Sequence, residues 1–565
     1  MKNILNNEFT IEVFNKLNAD ELIILSNEIR AFLIDLSKEK DIHLSSNLGI
    51  VELSIAILKS FNIEEDKILY DTGHQTYVHK MITNRFNRIK TIRDHHGLAG
   101  LMNMDESKYD HYSPGHSGNI LAISQGYRIA SNLNHVVAIV GDGALNNGLC
   151  YESMNDIGFR KDKIIMILND NEMSISQNVG NLSIIAKDEH KMKNYFNALG
   201  FEYLRVDDGH NIDALIKTFN TAKEISKTNP ICVHVKTTKG KGHDLSENDK
   251  IGKYHSTSKT RDQSFSKKLT NNIIDLMKKD KDIFVINPAM GFSSDCYKIH
   301  DEYPRRYFDV GICEEHAVAK AGALSLVNKK PILFFYSTFL QRTYDQLIHD
   351  VSRLKLNITI LLDRSDISGS EGDSHHGIYD ISFLKTINNT NIVSGRNFLQ
   401  NEQLLNLSLN NKNEIFIIRF PKKPFDEKTF NEDYIIQSNK WEFIENFESE
   451  TIIVSYGPYL DLIHNEIMNQ YKVNLANAIF INKYDESEID YLLLKYKNIL
   501  IYERINNKNT LSDDFMIRAF KLKTNNNIVN MAYKKDVGFG NNNELDKEQN
   551  MDINSIKKEL KILMN

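Results

Sequence analysis

The chain has 565 residues, of which 41% are apolar and 25% are charged. These fractions are typical of folded globular proteins and argue against a disordered or fibrous class. The net charge of −6 provides no basic surface for nucleic acid. At about 150 residues per domain, the length predicts roughly three or four domains.

Cysteine use and the amino terminus indicate a cytoplasmic protein. The four cysteines, Cys150, Cys232, Cys296 and Cys313, are far apart and form neither a CxxC pair nor a metal-finger spacing. The first residues lack the apolar stretch of a secretory signal, and no segment approaches the ~18 apolar residues of a membrane span. We therefore expect a reducing, cytoplasmic location and no membrane partner.

Short apolar runs closed by glycine or polar residues recur along the chain and predict buried parallel strands. The runs are 136–140 (VVAIV), 164–168 (IIMIL), 231–235 (ICVHV), 358–362 (ITILL) and 415–418 (IFII). Between these runs, residues recur at the spacing of a helix, for example Ala122, Ile123, Tyr127 and Ala130. This alternation of strand and helix patterns predicts doubly wound α/β units.

Two stretches without apolar periodicity, 241–264 and 421–439, divide the chain into three predicted α/β domains. The third domain restarts with a strand pattern at 451–456, a helical pattern at 460–468 and a second strand pattern at 498–502. The predicted domains span residues 1–258, 259–430 and 440–565.

Polar residues close two successive strand patterns. Gly141-Asp142-Gly143 follows the first run, and Asn169-Asp170-Asn171 follows the next one. In open α/β sheets, ligands bind at the carboxyl ends of the strands. Aspartate and asparagine oxygens suit Mg²⁺, and glycines let the backbone approach a diphosphate. GDG alone also occurs in ordinary strand-to-helix turns, but Asn171 follows Asp142 by 29 positions at the next strand end, which favours a ligand site.

Further segments occur in a characteristic order. They are 43–53 (HLSSNLGIVEL), 70–80 (YDTGHQTYVHK), 115–117 (GHS), 167–176 (ILNDNEMSIS), 306–318 (RYFDVGICEEHAV), 335–350 (FYSTFLQRTYDQLIHD) and 363–377 (DRSDISGSEGDSHHG). With the GDG motif, they resemble the transketolase-like thiamine-diphosphate enzymes, and among these the 1-deoxy-D-xylulose-5-phosphate synthase family. The resemblance runs from about residue 40 to 425 and covers two of the three predicted domains. The third matches only in general pattern.

The resemblance implies thiamine diphosphate and Mg²⁺ as cofactors. It makes 1–258 the diphosphate- and magnesium-binding domain, 259–430 the pyrimidine-binding domain and 440–565 a carboxyl-terminal transketolase-like domain. The implied metal ligands are Asp142, Asn171 and Met173. The implied cofactor contacts are His74, Gly115, His116, Ser117, Gly141, Asp142, Gly143, Ala144, Asn171, Met173, Glu314 and Phe339.

Glu314 is expected to start the chemistry by a hydrogen bond to N1′ of the thiamine pyrimidine, which favours the imino tautomer that removes the C2 proton. Paired glutamates in a helix usually form a solvated face, but the apolar, strand-like residues before Glu314 make a solvated face implausible. Glu315 matches a non-catalytic position of the family and is the fallback.

Histidines titrate near neutral pH and can move protons at a carbonyl group. The resemblance places five of them around the thiazolium ring and the incoming carbonyl groups, namely His43, His74, His116, His255 and His375. A histidine in an apolar context is more often structural, and that alternative is kept for His79. The implied catalytic residues are Glu314, His74, His43, His375 and His255.

Three arginines, Arg342, Arg364 and Arg419, are candidate phosphate ligands, because guanidinium groups form bidentate contacts with phosphate oxygens. For each of them an ordinary ion pair is the alternative. The resemblance also places Tyr336 at the donor substrate and Phe339 against the cofactor ring, although both could be simple core aromatics. The implied substrate contacts are Tyr336, Arg342, Arg364, Glu371 and Arg419.

Several positions depart from the family pattern. Glu371 replaces an aspartate, so contacts to pyruvate or to the aldehyde are expected to shift. Lys422 replaces a second arginine and keeps the charge without the planar fork. Gly118-Asn119-Ile120 replaces a run of hydroxyl residues, and 184–198 is shorter than the usual insertion, which indicates a more open cofactor cover.

The implied reaction joins pyruvate and D-glyceraldehyde 3-phosphate into 1-deoxy-D-xylulose 5-phosphate with release of carbon dioxide. A homodimer that supplies isoprenoid, thiamine or pyridoxal synthesis is implied as well. Two alternatives stay open. One is another enzyme with the same cofactor, such as a transketolase or a keto-acid dehydrogenase component, which segments 335–350 and 363–377 disfavour. The other is a cofactor-binding protein that has lost turnover.

Overall fold

The uninterrupted apolar runs of the first domain form parallel strands that are buried on both faces. The computed structural model describes residues 3–131, 134–174, 177–249, 252–254, 264–422, 430–431 and 433–565. The first sheet contains β1 (Lys67–Tyr70), β2 (Val136–Gly141), β3 (Ile165–Asp170), β4 (Glu202–Val206) and β5 (Ile231–Lys236). In the described part of the chain these five strands are parallel and lie in the order β1-β2-β3-β5-β4.

Side chains on successive strand positions point to opposite faces, so each strand of this sheet contributes to two cores. On β2, Val137 and Ile139 belong to one core, whereas Ala138 and Val140 belong to the other. Helices therefore cover both faces, as a doubly wound sheet requires. The helices of this part are α1 (Ile11–Lys16), α2 (Ala19–Glu39), α3 (Leu44–Leu48), α4 (Val51–Ser60), α5 (Tyr77–Lys80), α6 (Ile120–Ala130), α7 (Gly148–Arg160), α8 (Asn181–Ile185), α9 (Glu189–Ala198), α10 (Ile212–Ile225) and α11 (Asp244–Glu247).

Helix α2 shows how local sequence sets these elements. Its amino terminus is a capping box, in which the Asn18 side chain accepts a hydrogen bond from the Glu21 backbone and the Glu21 carboxylate accepts one from the Asn18 backbone. Apolar residues then recur every three or four positions and are buried against the first sheet's core. These residues are Leu22, Leu25, Ile29, Leu33 and Leu36.

The second sheet brings three strand ends of the predicted pyrimidine-binding domain together. Its strands are β6 (Ile283–Asn287), β7 (Tyr307–Asp309), β8 (Lys330–Tyr336), β9 (Ile358–Asp363), β10 (Thr390–Val393) and β11 (Ile415–Arg419). Among the described residues, these six strands are all parallel, in the order β10-β11-β9-β8-β6-β7. Tyr336 pairs in register with Asp363, and Arg419 pairs with Leu362, so the carboxyl ends of β8, β9 and β11 are adjacent.

The third sheet combines parallel strands with one antiparallel edge strand. Its strands are β12 (Glu442–Ile444), β13 (Thr451–Ser455), β14 (Asn474–Asn477), β15 (Asn498–Asn506) and β16 (Asn527–Tyr533), in the order β12-β14-β13-β15-β16. Only β12 runs antiparallel among the strands that the structure describes here.

Helices of several lengths connect the strands of the second and third sheets. They are α12 (Phe265–Lys279), α13 (Tyr297–Glu302), α14 (Glu314–Leu326), α15 (Ser337–Leu340), α16 (Tyr344–Gln346), α17 (Asp380–Leu384), α18 (Phe398–Asn410), α19 (Tyr459–Ile463), α20 (Asn469–Tyr471), α21 (Glu486–Lys495), α22 (Leu511–Leu522), α23 (Asn542–Glu548) and α24 (Ile553–Met564). Short 3₁₀ turns lie at Phe86–Thr91, Ala144–Asn146, Gln341–Thr343, Gly369–Glu371 and Asp373–His375, and π-helical turns at Met81–Arg85, Leu347–Ser352 and His464–Met468.

The chain forms two compact units. One comprises Met1–Thr260 and Val310–Cys313, and the other Arg261–Asp309 and Glu314–Asn565. The first unit contains the first sheet, and the second contains the other two. The predicted α/β fold with parallel sheets is confirmed, whereas the predicted domain boundaries stay a prediction. In the part of the chain that the structure describes, none of the helices is long and apolar enough to cross a membrane.

Candidate functional site

Asp142 lies at the carboxyl edge of the first sheet, directly after β2, and its carboxylate is held by backbone N–H groups. Oδ1 accepts a hydrogen bond from Gly143 at 2.9 Å, and Oδ2 accepts bonds from Asn171 at 3.0 Å and Met173 at 3.1 Å. Because β2 and β3 are parallel neighbours, the residues that follow them meet at this edge. The structure thus brings the three predicted metal ligands together.

A second carboxylate lies next to Asp142 and shapes the charge of this region. Burial, and then the neighbouring Asp170 carboxylate, raise the pKa of Asp142. Burial alone would also raise the pKa of Asp170, but hydrogen bonds from His234 at 2.7 Å and Lys236 at 2.9 Å hold it below its usual range. Asp142 therefore occupies a buried, electronegative position that a cation would stabilise.

The residues around Asp142 fit Mg²⁺ and a diphosphate. Asp142, the Asn171 side chain and the Met173 carbonyl group offer the hard oxygen atoms that Mg²⁺ prefers. Space also opens beside Gly141, where an added Cβ would meet no atom within 4 Å. No group of three His, Cys, Asp or Glu side chains in the described ranges could hold a metal ion, so a cation here needs oxygens from the backbone and from a ligand.

Lys239 is a cation beside this region that was not predicted from the sequence. It is 6% exposed, and its ammonium group donates to the Ser174 carbonyl oxygen. Burial lowers the pKa of Lys239 to about 8, although the Asp142 carboxylate opposes that shift. The sequence signal that could have identified Lys239 is its position between the end of β5 and a pair of glycines.

His74 lies on a tight turn that follows β1. Thr72 and Gly73 both have positive φ, 62° and 78°, and a Cβ on Gly73 would lie 2.5 Å from the ring of Pro114. Within the turn, Thr76 Oγ1 donates to the Gly73 carbonyl oxygen at 2.7 Å. The glycine of the GHQ motif is therefore required by geometry, and it fixes the direction of the His74 backbone.

Asn47 joins the two histidines of this part, His43 and His74. Its Nδ2 donates to the His43 carbonyl oxygen at 2.8 Å and to the His74 carbonyl oxygen at 2.9 Å. The two imidazole rings lie edge to face, 5.3 Å apart. The Arg93 guanidinium lies beside the His43 ring, with Nη2 3.0 Å from His43 Nδ1 and 3.2 Å from His43 Nε2.

Asp71 connects the His74 turn with the GHS segment. Its Oδ2 accepts from Ser117 Oγ at 2.7 Å, and its Oδ1 accepts from the Gly118 backbone at 2.8 Å. Gly115 and His116 precede Ser117 on the same loop. Asp71 therefore sets the position of the three predicted GHS contacts, although the sequence analysis gave it no role.

His79 and His255 do not belong to the group formed by His43 and His74. His79 is buried and bonds to Asp110 at 3.1 Å, and Asp110 in turn forms an ion pair with Arg85. His79 therefore has the surroundings of a structural residue, in agreement with the alternative kept for it. His255, a predicted catalytic residue, lies outside the described residues.

In the second unit, Glu314 is the first residue of α14 and is 4% exposed. Burial raises the pKa of Glu314 to about 7, against the opposing charge of Arg342. The Glu315 side chain is partly exposed, and Glu315 is not the buried member of the pair. Arg342 has its guanidinium 3.8 Å from the Glu314 carboxylate and thus lies beside the predicted catalytic acid.

Aromatic and cationic side chains form a cluster at the ends of β8 and β9. The Arg364 guanidinium lies 4.1 Å above the Tyr336 ring, and Tyr336 stacks on Phe339 at 5.2 Å. Phe339 in turn meets the His375 ring edge to face at 5.7 Å. The side chain of Arg364 also forms an ion pair with Asp363. Four of the predicted residues are therefore brought together here.

The predicted residues Glu371 and Arg419 each have a charged partner. Glu371 lies 3.4 Å from the Lys422 ammonium group, so the two departures from the family pattern contact each other. Arg419 is 3% exposed and bonds to Asp380 at 3.1 Å and to the Ser365 carbonyl oxygen at 3.2 Å. Asp380 was not predicted, because its sequence context, a helix start, carries no sign of this distant partner.

Three family models match segments of this chain. A family described as 1-deoxy-D-xylulose-5-phosphate synthase matches residues 5–195. The thiamine diphosphate binding domain of transketolase matches residues 123–268, and its pyrimidine binding domain matches residues 261–426.

Curated relatives extend the similarity to nearly the whole chain. The 1-deoxy-D-xylulose-5-phosphate synthase of Malacoplasma penetrans is 41% identical over 97% of this chain and 98% of its own length. The enzyme of the same name from Listeria monocytogenes is 37% identical over 86% of this chain and 85% of its own. A solved transketolase structure from Pichia stipitis, 14% identical, covers 95% of this chain and 96% of that chain with a TM-score of 0.45.

Proposed function

Because the chain belongs to the 1-deoxy-D-xylulose-5-phosphate synthase family and is a thiamine-diphosphate-dependent transferase, we propose that it condenses pyruvate with D-glyceraldehyde 3-phosphate. The products are 1-deoxy-D-xylulose 5-phosphate and carbon dioxide. The observation that carries the proposal is the buried Glu314 carboxyl, whose pKa is raised to about 7 within the residues matched by the pyrimidine-binding family.

Mg²⁺ and the diphosphate are assigned to the edge of the first sheet. Asp142, Asn171 and the Met173 carbonyl group would hold the metal, and Gly141 leaves room for the diphosphate. Of these three residues only Asp142 would contribute a formal negative charge, so diphosphate oxygens and water would supply the remaining oxygen ligands that Mg²⁺ prefers. Lys239 adds a buried positive charge that offsets part of the diphosphate charge.

When bound, thiamine diphosphate supplies a sink for the electron pair released as a 2-keto acid loses carbon dioxide. The Glu314 carboxyl holds a proton at N1′ of the pyrimidine and thereby selects the reactive tautomer. A carboxyl with a pKa near 7 can both donate and accept this proton at neutral pH. The positive charge of Arg342 prevents the pKa from rising further.

His43 and His74 are assigned to proton movement at the substrate carbonyl group. The Asn47 bonds fix both backbones, and the Arg93 guanidinium contacts the His43 ring. Imidazole groups held in this way can exchange a proton with a substrate oxygen near neutral pH. His116 and Ser117, positioned through Asp71, are assigned to cofactor binding.

The cluster of Tyr336, Phe339, Arg364 and His375 is assigned to the substrates. Arg364 presents a charge that suits either the pyruvate carboxylate or the terminal phosphate of the aldehyde. Glu371 and Lys422 form the border of this cluster. Arg419 is assigned to the terminal phosphate of the aldehyde, and its bonds to Asp380 and to the Ser365 carbonyl oxygen hold it next to the loop that bears Arg364.

Release of carbon dioxide from pyruvate, measured with and without D-glyceraldehyde 3-phosphate, tests the proposal. A synthase releases carbon dioxide much faster when the aldehyde is present, and the released amount equals the sugar phosphate formed. Transfer of a two-carbon unit from a ketose phosphate without carbon dioxide indicates a transketolase. Release that requires an electron acceptor indicates a keto-acid dehydrogenase component, and cofactor binding without any release indicates a protein that has lost turnover.

We further propose a cytoplasmic homodimer whose product supplies isoprenoid biosynthesis. Exposed apolar side chains on α7 support an interface, because Phe159 is 87% exposed and Tyr151 is 52% exposed. Light scattering on the purified protein decides the oligomeric state. A monomeric mass that persists at high protein concentration contradicts the dimer and leaves the proposed reaction untouched.

A further inference from the structure

The loop of residues 363–377 carries three predicted substrate or catalytic residues, Arg364, Glu371 and His375, and it is closed at Asp366. The Asp366 carbonyl oxygen accepts a hydrogen bond from the Gly377 backbone at 2.8 Å, which joins the two ends of the loop. Asp366 is 3% exposed, and its Oδ1 accepts from the Ile367 backbone at 2.7 Å. The geometry of the loop therefore depends on where Asp366 is held.

Asp366 is held by Arg504, which belongs to β15 of the third sheet. Arg504 Nε donates to Asp366 Oδ2 at 2.7 Å. The same guanidinium donates through its two amino groups to Asp546 of α23, at 3.0 and 3.1 Å. The Tyr533 hydroxyl donates to Asp546 at 3.0 Å. We call these four residues the Arg504 cluster.

The Arg504 cluster is buried, and its charges depend on one another. Arg504 is 6% exposed and also lies 4.6 Å above the Tyr459 ring. A carboxylate left in such a position without its guanidinium partner is strongly destabilised, because water cannot replace the lost contact. The cluster therefore favours a single arrangement of Asp366 relative to β15 and α23.

Residues 538–542 contact the same loop at further points. His376 Nε2 donates to the Gly538 carbonyl oxygen at 2.6 Å, and its Nδ1 accepts from the Ser368 backbone at 2.8 Å. Gly369 has a φ of 57°, and a Cβ there would lie 2.5 Å from Asn542 Oδ1. We call the region from β12 to α24, which contains the third sheet, the third-sheet domain. On both sides of Glu371, the loop therefore lies against this domain.

We propose that the third-sheet domain positions the substrate loop, and that Arg504 is the positioning residue, acting through Asp366 on Arg364 and His375. Arg504 itself touches neither the cofactor nor the reacting atoms in this assignment. The inference uses the proposed function only for the identity of the substrates that the loop meets. It gives the third-sheet domain a role that the matching family models, which end at residue 426, did not indicate.

Hydrogen exchange in the cofactor-free protein tests the positioning directly. In Arg504→Gln the backbone amides of Ile367, Ser368 and Gly377 are expected to exchange roughly ten- to hundredfold faster than in the parent, as loss of a charge-assisted hydrogen bond predicts. Arg396→Gln is the matched control, since Arg396 is equally buried and pairs with Glu442 and Asp461. Parent-like exchange at these amides in Arg504→Gln overturns the proposal.

Steady-state kinetics provide a readout that a general loss of stability does not produce. We expect Arg504→Gln to raise the KM of the substrates about tenfold with a smaller change in kcat, whereas Arg396→Gln lowers the melting temperature without changing KM. Arg504→Lys should recover part of the KM effect, because lysine keeps one charged donor. Unchanged KM values in Arg504→Gln contradict the positioning role.

Two further results, a variant that does not fold and a parent protein without synthase activity, can be distinguished from the outcomes above. If Arg504→Gln does not fold, Asp366→Asn replaces it, because this change keeps the Arg504–Asp546 pair and removes the carboxylate charge from the contact between Arg504 and the loop. If the parent shows no synthase activity, the proposed function fails, and the exchange rates of the loop amides alone then decide the positioning role.

Discussion

The Arg342 guanidinium lies 3.8 Å from the Glu314 carboxylate, close enough to oppose the effect of burial on that carboxyl but not to cancel it. Burial is the larger effect, so the pKa of Glu314 rises to about 7. The protonation state of Glu314 is therefore balanced at neutral pH. This balance leads to two predictions, one for catalysis and one for stability.

We expect Glu314→Gln to abolish exchange of the thiamine C2 proton while cofactor binding is nearly unchanged. The amide can still form a hydrogen bond at N1′, but it cannot take or give the proton. Proton NMR of the bound cofactor in deuterated buffer measures the exchange rate. Glu315→Gln is the control, and exchange at the parent rate in Glu314→Gln would show that the assignment to Glu314 is wrong.

The stability of the cofactor-free protein should depend on Glu314 with a defined sign. The folded pKa of about 7 lies above the ordinary glutamate pKa of 4.5, so the folded state binds the proton more tightly than the unfolded state does. The contribution of Glu314 is complete below the unfolded pKa and is lost as pH rises through the folded one. Glu314→Gln should therefore match the parent near pH 4.5 and be more stable by a few kcal/mol at pH 8, since one pKa unit equals about 1.4 kcal/mol.

Denaturant unfolding of both proteins across this pH range checks the prediction. A difference in stability between parent and Glu314→Gln that does not change with pH would contradict it.

Asp142→Asn should separate stability from cofactor binding. In the cofactor-free protein, Asp142 is buried beside Asp170, so removal of its charge should leave stability unchanged or raise it at neutral pH. In the same variant, Mg²⁺ loses its one charged protein ligand, so the rise in melting temperature on addition of Mg²⁺ and thiamine diphosphate should largely disappear. Asp207→Asn, an exposed change, should keep that rise. A parent-like rise in Asp142→Asn would mean that GDG is only a turn.

Arg419 and Arg364 are predicted to bind the phosphate of the aldehyde. Replacement of either by alanine should then lower kcat/KM for D-glyceraldehyde 3-phosphate roughly ten- to hundredfold and leave unphosphorylated glyceraldehyde unaffected, because charge-assisted hydrogen bonds contribute about 1.5–3 kcal/mol each. Arg419→Ala should also lose about 3–5 kcal/mol of stability, because it leaves Asp380 buried without its partner.

The double variant Arg419→Gln with Asp380→Asn distinguishes the two roles of Arg419. It removes both charges of the buried pair, so most of the stability should return. If the discrimination between phosphorylated and unphosphorylated aldehyde returns as well, Arg419 is structural and the phosphate site lies elsewhere, with Arg342 the next candidate.

Asn47→Ala should lower activity through the histidines without a contact to substrate. Loss of the bonds to the carbonyl oxygens of His43 and His74 leaves buried acceptors unpaired, at a cost of about 1–3 kcal/mol each. We expect a lower melting temperature and a fall in kcat larger than the change in KM. Asn194→Ala, an exposed change, is the control. An unchanged kcat would show that His43 and His74 keep their positions without Asn47.

The apolar runs and their polar ends were sufficient to predict the sheets and the meeting of Asp142 with Asn171. Parallel strands impose this, since their carboxyl ends share one edge. Asn47, Asp71 and Arg93 were not predicted, because each acts on a residue 27 to 50 positions away. Such pairings depend on tertiary packing, so patterns in a single sequence do not predict them.

The third sheet illustrates the same limit. Its predicted strand patterns at 451–456 and 498–502 correspond to β13 and β15. The contact of Arg504 with Asp366 could not be predicted, because a charged residue inside a strand pattern reads as an exposed position until its partner is known.

Because successive residues of β2 belong to two separate cores, the first sheet restricts where this chain can gain or lose residues. A single-residue insertion within β2 would exchange Ile139 and Val140 between the cores and disrupt both at once. The connecting regions carry no such constraint. The 184–198 region, which is predicted to be shorter than in the family, lies on α8 and α9, where a change of length leaves every strand in register. Length variation among relatives of this protein should therefore concentrate in its helical connections, while the strands keep a fixed length.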